Sequence, residues 1–132
     1  MNDVSTNFLL KLKESVELFN RWRASDPDYV LDLSGCDLSD TYLVGVDLRN
    51  VILRYANLEN CDFRASILDD VDMSGANLID ANFTGASMIR VNLSGANLSG
   101  TDLSFCDLTD ANFANACLND TKLVCIKDGK VR

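Results

Sequence analysis

The sequence predicts an all-β solenoid preceded by a short helical segment, and three observations carry that prediction. Large apolar residues recur every five positions, in one unbroken phase, from Leu33 to Leu123; small or β-branched residues stand two places before them; turn formers such as Gly35, Asp40 and Asn60 stand two places after. A helix advances about 100° per residue, so apolar residues five apart would smear around its whole circumference. A straight strand alternates faces, so the same residues would fall on opposite sides of a sheet. The spacing fits a chain that runs extended for three residues, in-out-in, and then turns a corner over the next two. Repeating that corner coils the chain around one interior.

The elements follow in order. Residues 5–24 read as a helix, with Ser5 as a plausible N-cap and Phe8, Leu9, Leu12, Val16, Phe19 and Trp22 on one apolar face; Pro27 stops it. Residues 1–30 are therefore expected to form an N-terminal helical cap over the first coil, a partner-binding helix being the alternative. The array spans 31–125, or 19 pentads, with Leu at fourteen apolar centres, Phe at 63, 83 and 113, and Met at 73 and 88. The residue before each centre is Asp or Asn in 13 of the 19 pentads, as at Asp32, Asn57 and Asp107, which suits turn and ladder hydrogen bonding. Residues 126–132 form a tail in which Asp128-Gly129 favours a tight hairpin. Either the tail closes the last, incomplete coil, or it stays loose and that coil pairs with a second subunit.

Composition removes much of enzyme chemistry. The chain has 132 residues and no His, which excludes a His-ligated metal and any Ser-His-Asp or Cys-His nucleophile pair. No Gly-rich phosphate loop, C-x-x-C or calcium loop occurs, so neither a cofactor nor a metal is expected, and the chain is expected not to be an enzyme. With 12 basic and 20 acidic residues, net −8, direct binding to nucleic acid or anionic lipid is disfavoured. The array itself carries 14 acidic and 5 basic residues, so the acidity belongs to it. The start lacks a signal-like apolar run, and five Cys with no pairing pattern suit a reducing compartment, the bacterial cytoplasm. Cys36, Cys61 and Cys106 occupy the small-residue slot and should pack in the core. Cys117 and Cys125 should point outward or into the corner, which makes them the better candidates for reactive thiols.

The units Ala-Asn-Leu-Ser-Gly at 96–100, Ala-Asn-Phe-Thr-Gly at 81–85 and Cys-Asp-Leu-Thr-Asp at 106–110 resemble those of pentapeptide-repeat proteins. The leader Phe19-Asn20-Arg21-Trp22-Arg23 is similar to the W-N-x-W-R segment of bacterial, especially cyanobacterial, members, with Phe19 in place of the first Trp. The resemblance implies a right-handed quadrilateral β-helix with four pentads per coil, hence about 4.75 coils and a height of roughly 23 Å at about 4.8 Å per strand. Residues 20 apart would then stack in columns such as Leu43-Phe63-Phe83-Leu103-Leu123. It also implies a non-enzymatic role, and end-to-end stacking into a homodimer at the C-terminal coil as one arrangement. Some relatives imitate duplex DNA and bind gyrase. The acidic corner column Asp40, Asp80 and Asp120 is the counterpart expected here if this chain did so, although the array is short for such a binder.

Departures from the repeat at outward positions mark a candidate contact patch. Ile52 and Ile67 replace Asp or Asn, and Ile89 replaces a small polar residue; on the column arithmetic they gather near one edge with Arg49, Arg54 and Arg90. The expected function is a rigid protein-protein interaction module with an unidentified protein partner.

Overall fold

The computed structural model describes residues 2–128. Its N-terminal part is two helices, α1 (Asp3–Glu14) and α2 (Val16–Ser25), where the sequence pattern suggested one. Asn2, not Ser5, caps α1, its side chain accepting the Ser5 N–H at 2.8 Å. Ser5 sits inside the first turn, and its hydroxyl donates to the Asp32 carbonyl at 2.8 Å. Ser15 separates the helices because its backbone is extended (φ −157°): its N–H closes α1 on the Lys11 carbonyl while its hydroxyl accepts the Leu18 N–H and opens α2. A serine able to serve both ends folds the apolar face back on itself. Asp26 then ends α2, and Pro27 follows.

This pair buries Leu12 and Phe19 completely and rests on the first coil. Asn20 fixes it there, donating to the Gly45 carbonyl at 2.9 Å and accepting the Asp47 N–H at 2.8 Å. Among the described residues no helix is long and apolar enough to cross a membrane.

From Leu31 onward the chain pairs with itself in parallel at a constant offset of 20 residues, or four pentads. Only β1 (Leu31–Asp32) and β2 (Val51–Ile52) are continuous enough to count as strands. Beyond them a single bridge per pentad carries the same register, from Asp37 with Asn57 to Asp107 with Lys127. Most pentads share three backbone hydrogen bonds with the next layer, as residues 51–55 do through Leu53 N–H to Asp72 O (2.7 Å), Tyr55 N–H to Ser74 O (3.0 Å) and Asp72 N–H to Val51 O (3.3 Å). The expected strands are thus very short because a corner interrupts them every five residues.

Each corner is a four-residue turn, closed by bonds such as Ala56 N–H to Leu53 O at 3.2 Å. Its third residue has a φ between +52° and +74° in all 19 pentads. Gly, Asp and Asn, which tolerate that region, fill fourteen of these places; Tyr55, Ala65, Arg90, Phe105 and Cys125 hold the rest against a cost of about 1–2 kcal/mol each. At Gly75 the missing side chain also makes room, since a Cβ there would stand 2.5 Å from the Tyr55 ring.

The interior matches the column arithmetic. Apolar centres from Leu33 to Leu108 are wholly buried, with the small slots beside them. Phe63 and Phe83 stack face to face, centroids 4.9 Å apart and planes 4° from parallel, which is the spacing of the layers themselves. Polar residues in the small slot find acceptors across layers or beside them: Thr101 donates to the Leu78 carbonyl at 2.6 Å and the Cys61 and Cys106 thiols to those of Leu38 and Phe83, while Ser66 donates to the Phe63 carbonyl at 2.6 Å within its own corner.

Candidate functional site

With the interior committed to packing, function has to reside on the outer faces or at an end. The outer faces are largely self-satisfied. All 13 Asp or Asn residues before the apolar centres accept the backbone N–H two residues on, between 2.9 and 3.2 Å. Where Ser87 breaks this pattern, Asp69 from the layer below accepts the Ile89 N–H in its stead, at 3.0 Å. The repeated carboxylates therefore serve the corners.

Their protonation has a measurable consequence. Hydroxyls of Ser34, Ser39 and Thr109 donate to Asp32, Asp37 and Asp107 and hold these carboxyls below the usual range. A folded pKa below the unfolded one contributes stability that is present above about pH 4 and lost as pH falls through the folded value. The triple variant Asp32→Asn, Asp37→Asn, Asp107→Asn keeps the turn acceptor and drops the titration. Its urea midpoint is expected to decline less between neutral pH and pH 3 than that of the parent; an equal decline would contradict this role.

The candidate patch residues occupy outward positions on adjacent faces. Ile67 is 37% exposed, while Ile52 and Ile89 are half-buried. Its three arginines are already engaged: Arg49 with Asp47 (2.7 Å), Arg54 with Asp72 (2.6 Å) and Arg90 with Asp70 through both oxygens (2.6 and 2.8 Å). Two of these pairs join neighbouring layers, 18 and 20 residues apart in sequence, which no local motif reveals.

The acidic corner column is sparse. Asn60 separates Asp40 from Asp80 and donates to Asp40 at 2.9 Å, while the Asp80 carboxylate leans over Gly100. Two layers between successive carboxylates is about 9.6 Å, against one charge per 1.7 Å along duplex DNA.

The cysteines divide as their slots suggest. Burial pushes the thiols of Cys36, Cys61 and Cys106 up to about 11. Cys117 is half-exposed, lies 3.3 Å from the Ser99 hydroxyl and has its pKa lowered by that bond and by the Asn119 N–H; Cys125 is exposed. Among the described residues no three His, Cys, Asp or Glu side chains converge as metal ligands.

The two ends differ most. The helix pair lies over the first coil, whereas at the other end none of the described residues lies over the columns. Leu118 and Leu123, whose counterparts in lower layers are fully buried, are 43% and 42% exposed. With Phe113 and Ile126 they rim an apolar hollow of about 150 Å³ floored by Leu108. Among the described residues the N–H groups of Leu118, Asp120, Leu123 and Cys125 reach no backbone acceptor, although their equivalents below all do. The hairpin expected at Asp128-Gly129 falls mostly outside the described residues. Sequence reasoning left this end undecided, because the repeat reads identically in its last layer and in its middle.

A family profile described as pentapeptide repeats, in eight copies, matches residues 32–70, 56–95, 66–104 and 86–123. The chain belongs to the pentapeptide repeat family, whose members adopt a right-handed quadrilateral β-helix. No curated protein matches it. Among solved structures it is similar to a pentapeptide repeat protein, Rfr23, from the cyanobacterium Cyanothece 51142, at 23% identity over 85% of this chain and 95% of that one, with a TM-score of 0.40. It is also similar to HetL of Nostoc, a pentapeptide repeat protein involved in heterocyst differentiation regulation, at 23% identity over 79% and 63% of the two chains (TM-score 0.31). Full-length QnrB1, a plasmid-mediated fluoroquinolone resistance protein, matches at 18% identity over 68% and 59% (TM-score 0.32). The chain thus spans about three fifths of the latter two.

Proposed function

We propose that this protein is a non-enzymatic interaction module: a rod of about 4.75 coils, capped at one end by α1 and α2, that engages a protein partner through its uncovered last coil. The observation that carries the reading is the exposure of Leu118 and Leu123, which continue columns buried everywhere below. Burying the exposed two fifths of each side chain on a partner is worth roughly 1 kcal/mol. On the sides, the arginines of the Ile52 and Ile67 patch are spent on neighbouring carboxylates, and the exposed rings of Tyr42, Tyr55 and Phe105 are not among its residues. The gyrase reading is not favoured, given the wide spacing of Asp40, Asp80 and Asp120. The free thiols suit the cytoplasm.

Affinity capture from native extract separates the surfaces. Leu118→Asp with Leu123→Asp should lose the partner that the parent chain retains, while Ile52→Asp with Ile67→Asp should keep it. Loss only in the isoleucine variant would move the contact to the side, and no specific partner in any bait would sink the reading. Unchanged gyrase supercoiling in the presence of the protein is the companion expectation.

A further inference from the structure

One of the four faces of the array is built differently from the others. Pentads 41–45, 61–65, 81–85, 101–105 and 121–125 stack in register, and their outward column runs Tyr42, Asp62, Asn82, Asp102, Lys122. Two exposed rings belong to this face: Tyr42, 67% exposed in its first layer, and Phe105, 61% exposed at its corner in the fourth. Both depart from the repeat. Tyr42 stands where Asp or Asn elsewhere accepts the N–H two residues on, and Phe105 holds a φ of +61° that Gly, Asn or Asp would hold at lower cost. Neither ring belongs to the buried core.

The charge of the face selects its partner. Asp62 and Asp102 are balanced by Arg64 and Lys122, Asp62 through an ion pair of 2.7 Å, so the face is neutral; over residues 31–128 each of the other three faces is net negative. Two copies of this acidic rod therefore repel one another through those three faces and not through this one. The layout is also self-complementary. When two copies lie antiparallel about a two-fold axis crossing the third layer, the first layer meets the fifth and the second meets the fourth within each column. Tyr42 then faces the second copy's Lys122, a cation against a ring. Phe105 faces the second copy's corner at Ala65, where the neighbouring corners leave room, since a Cβ at Gly45 or Gly85 would meet nothing within 4 Å. Only the small polar Asn82 and Thr84 lie on the axis. Five layers at about 4.8 Å and five residues at about 3.3 Å bound the face to roughly 24 by 16 Å, hence roughly 800 Å² buried over both copies, an area that suits weak, reversible association.

We propose that this protein forms a weak antiparallel homodimer through the neutral face of Tyr42 and Phe105, a contact independent of both ends of the array. The test is sedimentation velocity of the full chain between about 5 µM and about 1 mM, over which the parent should pass from monomer towards dimer. Tyr42→Asn with Phe105→Asn places at both positions a residue that the repeat itself uses there. This variant should keep or raise the urea midpoint of the parent while its dimer weakens by about tenfold or more. Tyr55→Asn removes an equally exposed ring from the diagonally opposite corner and should leave the dimer intact, as should Leu118→Asp with Leu123→Asp. A parent that stays monomeric throughout, or a Tyr42/Phe105 variant that dimerises as the parent does, overturns the proposal. Equal weakening by Tyr55→Asn would also overturn it, showing unspecific adhesion of exposed rings, and loss of the dimer in the leucine variant alone would move the contact to the last coil.

Discussion

Phe83→Ala is expected to lower stability by about 3–5 kcal/mol. Phe83 is fully buried, stacked on Phe63 below, and continues into Leu103 above. Its neighbours are pinned by hydrogen bonds 2.7 to 3.0 Å long to the layers on either side, such as Phe83 N–H to Asp102 O and Phe63 N–H to Asn82 O, so the cavity cannot collapse. Phe113→Ala is the internal control. It occupies the same kind of slot in the last coil, where the ring is only partly buried, and should cost less than half as much. Urea unfolding of both variants measures the difference; equal losses would show that the top layer is packed like the middle.

Arg23→Ala is expected to cost about 2–4 kcal/mol, and Arg23→Met distinctly less. The side chain is completely buried under α2 with its guanidinium against the Trp22 ring, 4.8 Å from centroid. One nitrogen, Nη1, donates to the carbonyls of Asp26, Pro27 and Tyr29, the shortest bond being 2.7 Å, and so fixes the turn that leads from α2 into β1. The other two nitrogens have no hydrogen-bond partner. Burial accordingly lowers the pKa of the group, with Asp47 pulling it the other way. Truncation to Ala leaves a void beside Trp22 and three carbonyls without their donor. Met fills the void and sheds the two unpartnered N–H groups, which offsets part of the loss. Trp22 is the only tryptophan, so its fluorescence reports the melting of this region directly. Equal losses for Ala and Met would mean that the three carbonyl bonds, not packing, hold the helix pair in place.

The array was legible in the sequence because each pentad must place an apolar centre inward and a left-handed residue at its corner. The same five-residue grammar therefore appears wherever the geometry does, and Leu33, Phe63 or Leu108 can be assigned an interior column by counting. The asparagines and aspartates before the centres were equally readable, since an acceptor two residues ahead of a turn N–H is a local matter. The break at Ser15 was not, because Asp3–Glu14 and Val16–Ser25 share one apolar periodicity and only the extended serine backbone separates them. Nor was the burial of Arg23, a charge on a helix that reads as solvated until the first coil closes over it. The pairing of Arg54 with Asp72 and of Arg90 with Asp70 depends on contact between layers, which sequence spacing reveals only after the 20-residue return is known. Those pairs change the outer edge from a cationic patch into a largely neutralised one.

The helix pair covers the first coil and the described residues leave the last one open, an asymmetry that amide hydrogen exchange on the dilute chain tests most directly. Amides that bond between layers, from Leu38 to Leu103, should exchange only with global unfolding, whereas those of Leu118, Asp120, Leu123 and Cys125 should exchange orders of magnitude faster. Protection of these four amides equal to that of Leu58 or Leu78 would contradict the open end, and with it the assignment of that end as the surface this protein offers to a partner.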